Sequence, residues 1–160
     1  MPGGEHRQSK ETRMTKSLTP ETITYQTIRQ MFKDWDSLKA LGQHPLSRLH
    51  VVEQRQQASG YTASPAGRGL ALREVLTSAL EQLKPANTPP DPAERSWRPY
   101  LILSEQQING RSPEWVAAQL HISRGTYFLE QKRALEIVAD TLHKWEEESR
   151  NTPADAPPLS

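Results

Sequence analysis

Residues 112–135 read SPEWVAAQLHISRGTYFLEQKRAL, and this stretch decides the fold. Ser112, Pro113 and Glu114 are, in order, an N-cap, a first-position proline and an acid at the positive end of a helix. The short helix they open carries Val116, Ala117 and Leu120 on one side. His121 and Ile122 then make a tight turn, and Ser123 caps a longer helix whose apolar face is Ala134, Leu135, Ile137, Val138, Leu142 and Trp145, running on to the glutamates at 146–148. Upstream, Pro99 suits only the first turn of a helix. It predicts a helix over residues 98–109 with Tyr100, Leu101, Leu103 and Ile108 inward, and Gly110 as its left-handed C-terminal cap. Three helices thus follow one another with very short connections. If the second and third cross steeply, a small residue is needed where they meet; Ala117 supplies it, and Ile122, five residues on, plugs the turn.

That order is the order of a helix-turn-helix unit. The segment resembles sigma-factor region 4 and the DNA-binding domain of bacterial response regulators, in which a similar Ser…Ala…Leu-x-Ile-Ser-x-Gly-Thr pattern recurs. The matching positions are Ser112, Glu114, Val116, Ala117, Leu120, Ile122, Ser123, Gly125, Thr126, Arg133 and Ala134. The resemblance implies that the third helix lies in the major groove of double-stranded DNA, with Arg124, Phe128, Leu129 and Lys132 facing the groove and Ser123, Thr126 and Arg133 near phosphates. Several residues depart from the pattern. Phe128 and Leu129 are apolar where polar or basic types are expected, and an apolar side chain reads only a thymine methyl. Glu130 brings a negative charge close to the path of the phosphates, and Gln131 stands where an inward leucine is common. His121 replaces the turn glycine, which predicts a different bend. More loosely, WRPYLIL at 97–103 together with the proline-rich end resembles the N-terminal segment of bacterial multidomain signalling NTPases of the STAND class; that resemblance implies that residues 151–160 are a linker into a nucleotide-binding domain.

Outward from this unit, the chain divides by composition. Residues 1–18 are polar and without apolar periodicity, the pattern of a disordered arm. Thr19, Pro20 and Glu21 then signal a helix start, followed by Ile28, Met31, Phe32 and Trp35 on one helical face. A short helix over 36–41 stopped by Gly42, and another from Pro45 with Leu46, Leu49 and Val52, are expected next. Residues 57–67, QASGYTASPAG, read as a loop. Leu72, Val75, Leu76, Ala79, Leu80 and Leu83 mark a further helix that Pro85 closes, completing an N-terminal helical region over 19–84. A proline-rich spacer at 85–92 separates it from the helix-turn-helix domain at 93–150, and residues 151–160 read as a disordered tail or linker. Alternating strand patterns are almost absent, so the fold class is all-α: N-terminal helices plus a C-terminal helix-turn-helix bundle with a long last helix.

Composition narrows the function classes. No apolar run approaches a membrane span and mean hydropathy is -0.77, so a cytoplasmic protein without a membrane partner is expected. Cysteine is absent, and His6, His44, His50, His121 and His143 show no metal-ligand spacing, so no metal is predicted. Gly67-Arg68-Gly69 lacks both a preceding strand and a third glycine, no Walker A sequence or serine elbow occurs, and neither an enzyme nor a cofactor nor a small-molecule substrate is expected. Trp35, Trp97, Trp115 and Trp145 read as packing anchors. Over residues 94–150 there are 8 basic and 9 acidic side chains, so a basic surface must come from Arg124, Lys132 and Arg133. The expectation is a DNA-binding regulator acting as a dimer or within a larger assembly. The alternative is a protein-interaction module that uses Phe128 and Leu129 on a partner.

Overall fold

The computed structural model describes residues 23–151, which contain helices and no strand. In chain order they form α1 (Tyr25–Lys33), α2 (Leu38–Gln43), a 3-10 turn (Pro45–Arg48), α3 (His50–Ala58), α4 (Pro65–Glu81), a second 3-10 turn (Arg95–Trp97), α5 (Arg98–Leu103) continued by a π turn (Ser104–Ile108), α6 (Pro113–Leu120) and α7 (Arg124–Asn151). The all-α class and the long last helix are as expected. No helix of the described residues is long and apolar enough to cross a membrane.

The start predicted at Thr19 and Pro20 lies outside the described residues. Within them α1 is opened by Thr24, which exchanges capping hydrogen bonds with Thr27. Ile28, Met31, Phe32 and Trp35 are buried, as their spacing predicts. The helix expected over 36–41 occupies Leu38–Gln43 instead, capped by Ser37, and Gly42 does not stop it. Gly42 is inside α2 because this helix lies against the start of α4: a Cβ there would sit 1.6 Å from the carbonyl oxygen of Pro65. Gly69, inside α4, meets α2 in the same way, with the carbonyl oxygen of Leu38 at 1.9 Å from its would-be Cβ. The loop expected over 57–67 is also shorter. Ser64 accepts from the Gly67 amide and Pro65 takes the first helical position, the same pair of signals as Ser112 and Pro113.

The predicted face of α4 is buried from Leu72 to Leu83, and one hydrophobic core runs from Ile23 to Leu142. The spine of that core is α7, which packs against α1, α3, α4, α5 and α6. Two inward assignments fail. Ile108 is exposed, and Ile102 and Leu103 take the buried positions of α5, because the π turn inserts a residue into the helical ladder (Asn109 N–H to Ser104 C=O, 3.0 Å) and rotates the residues beyond it outward. Ile137 is exposed on α7.

His44 shows how local capping couples to pH. Its Nδ1 accepts the Leu46 amide at 3.2 Å and so caps the first 3-10 turn, which requires a neutral ring. Burial lowers its pKa from the ordinary 6.5, only partly opposed by Asp34. The unfolded chain therefore takes up the proton first, so this contribution to stability is complete above about pH 6.5 and falls as the pH drops below it. The urea midpoint of the protein should decline between pH 7 and 5.5 more than that of His44→Asn, which caps without titrating; equal declines would contradict this role.

Candidate nucleic-acid interface

Each local signal in the helix-turn-helix unit finds its partner. Gly110 has φ +73°, the left-handed cap expected at the end of the first helix. Ser112 accepts the Trp115 amide at 3.0 Å, and Ser123 accepts the Thr126 amide at 3.1 Å. His121 takes up the left-handed conformation itself (φ 58°, ψ 43°), standing in for a glycine at a cost of about 1 kcal/mol. The Ile122 amide closes the turn on the Ala117 carbonyl at 3.0 Å, and Ala117 and Leu120 are buried beneath it.

Below the surface, α7 is held by polar contacts that sequence reading missed. Gln131 is buried, and its amide donates to the Oε1 of Gln106, which also accepts the Tyr127 hydroxyl. The π turn is what places Gln106 there. Burial of Tyr127, with Glu114 adding and Arg29 opposing, pushes its hydroxyl far above the ordinary range, so it remains a donor. Glu130 is turned inward to an ion pair with Arg98 at 3.0 Å, where both side chains are mostly buried. Its charge is therefore compensated rather than presented to solvent, contrary to the expectation for that position.

The seven predicted contact residues are distributed unevenly. Ser123, Arg124, Leu129, Lys132 and Arg133 are exposed, and Thr126 is half-buried, its hydroxyl bonded to that of Ser123. Phe128 is half-buried: it packs on the core, stands edge-on to Tyr127, and carries the Arg124 guanidinium 5.5 Å above its ring. Arg124 also pairs with Glu114 at 3.0 Å, with the two side chains 70% and 59% exposed. Lys132 leans over the Tyr25 ring of α1 at 5.1 Å. Arg133 has no ion-pair partner among the described residues. Arg124 and Arg133 are about two and a half turns apart and so lie on opposite sides of α7, with Lys132 between them in azimuth. The first turns of α7 thus carry a basic arc, not one compact cluster.

The unit's one exposed aromatic is Trp115, which carries Arg111 at 4.5 Å above its ring; Trp35 and Trp97 are buried, as expected of anchors, and Trp145 is half-buried. At the far end of α7, Glu146 is fully buried and accepts the His50 and Val51 amides at 3.1 and 3.0 Å and the Arg150 Nε at 2.7 Å. It supplies the N-terminal cap that Leu49, with no side-chain bond, does not give α3. Elsewhere, Arg55, Leu70, Arg73, Glu74, Thr77 and Ser78 line an open cleft of about 320 Å³, where Glu74 is already engaged by Arg55 and Tyr61.

Compared with known proteins, the chain matches no family model, no curated protein and no solved structure.

Proposed function

We propose that the protein is a cytoplasmic regulator that binds double-stranded DNA through the first turns of α7. The observation that carries this reading is the withdrawal of Glu130. It is the only carboxylate in residues 124–133, and its pairing with Arg98 leaves the exposed part of these turns to Arg124, Lys132 and Arg133. The remaining opposing contact, Arg124 with Glu114, is well exposed and worth at most about 1 kcal/mol, so a phosphate can replace it. Gly125 adds to this. A Cβ there would meet nothing within 4 Å, so the surface beside the first turn of α7 leaves room for a close-approaching phosphate.

The test is a mobility shift of random-sequence duplex at low salt with the full chain and with Arg124→Ala/Lys132→Ala. The wild type should shift the duplex and the double variant should bind about tenfold or more weakly, with unchanged circular dichroism. An undiminished shift would remove DNA from this face. A second reading, a protein-interaction module on the same scaffold, is favoured by Leu129 and Ile137, which are 51% and 44% exposed. Under that reading neither form shifts DNA.

A further inference from the structure

The outward face of α7 carries the groups of a self-complementary contact. Residues on an α-helix turn by about 100° each, so Leu129, Arg133, Ile137, Asp140 and Lys144 fall within about 80° of arc, opposite the buried face. Leu129 and Ile137 are two of the four large hydrophobic side chains that the described residues leave exposed. The charges beside them are unspent. Among the described residues, none of Arg133, Asp140 and Lys144 has an ion-pair partner, whereas Arg98, Arg124 and Arg150 each do.

We infer that this face is an interface with a second copy of the chain, the two α7 helices lying antiparallel about a two-fold axis between Glu136 and Ile137. The order of charges selects that arrangement. Running one copy forwards and the other backwards about this point sets Arg133 of each against Asp140 of the other, so both ion pairs form at once. Each Ile137 stands opposite the other copy's Glu136 and beside its Ile137 at the axis, and Leu129 lies along the methylene stem of the other copy's Lys144. A parallel two-fold pairing would instead set Arg133, Asp140 and Lys144 each against its own copy. Because the apolar part is two residues per copy, the dimer is weak and salt-sensitive. It also covers Leu129 and Arg133, so dimer and DNA complex exclude each other; this last consequence alone rests on the proposed DNA reading.

Sedimentation velocity of the full chain without DNA tests the interface independently of that reading. Wild type should show reversible, concentration-dependent dimers at low salt. Arg133→Asp alone and Asp140→Arg alone should each weaken self-association by about tenfold or more, because each reversal creates two like-charge contacts. An equimolar mixture of the two variants should recover a heterodimer, since the like-charge contacts are then relieved across the interface. Both positions are exposed, so circular dichroism should be unchanged throughout. A wild type that stays monomeric at hundreds of micromolar, single variants that associate as wild type does, or a mixture that remains monomeric each overturns the proposal.

Discussion

Gly69→Ala should lower the unfolding free energy by about 2 kcal/mol, although alanine is the better helix former. Helix propensity favours the change by about 1 kcal/mol. Against it, the new methyl would sit 1.9 Å from the Leu38 carbonyl oxygen and 2.8 Å from its carbon, far inside the 3.4 Å at which ordinary contact begins. The obstacle is backbone, not a side chain with another rotamer, so α2 and α4 must part along their whole contact, at the upper end of overpacking costs, about 3 kcal/mol. Gly125→Ala is the matched control: its methyl meets nothing, and it should be neutral or stabilising by up to about 1 kcal/mol. Denaturant midpoints of the two variants should therefore move apart. A Gly69→Ala protein as stable as wild type would mean that α2 and α4 do not cross this closely.

Glu146→Ala should cost more, about 3–4 kcal/mol. The carboxylate is wholly buried and serves two helix-end amides together with the Arg150 Nε. Its removal strands two part-buried donors, at about 1–3 kcal/mol each where water does not reach them, and takes away the charge that faces the positive end of α3. Glu146→Gln keeps one acceptor oxygen and should lose roughly half as much. Chemical denaturation gives both values, and a Glu146→Ala protein within about 0.5 kcal/mol of wild type would show that the cap is dispensable.

What was legible in the sequence was local. Ser112, Gly110 and Ser123 announce helix ends because their partners lie within three residues or in their own backbone, and the face from Leu72 to Leu83 repeats at helical spacing. What was not legible depends on the neighbour across the core. Glu146 stands first in a run of three glutamates and reads as a solvated end; the one hint is that residues 135, 138, 142, 146 and 149 continue the buried series of α7. Gly42 reads as a stop and Gly69 as part of a GxG without a preceding strand, since close approach is visible only once α2 and α4 are set together. Gln131 and Glu130 looked like departures from a pattern, and their partners Gln106 and Arg98 lie 25 and 32 residues away. The candidate face divides similarly: Leu129, Lys132 and Arg133 are exposed, while Phe128 packs on the core and Lys132 leans over Tyr25 of α1, neighbours that no local rule points to.

The proposal that the first turns of α7 hold DNA phosphates is tested most directly by the fluorescence anisotropy of a labelled random duplex, titrated with the full chain at about 50 and about 200 mM salt. Three phosphate contacts, from Arg124, Lys132 and Arg133, predict binding at the lower salt that weakens about 40-fold at the higher. Absence of binding at the lower salt, or an affinity that does not change between the two, would contradict it.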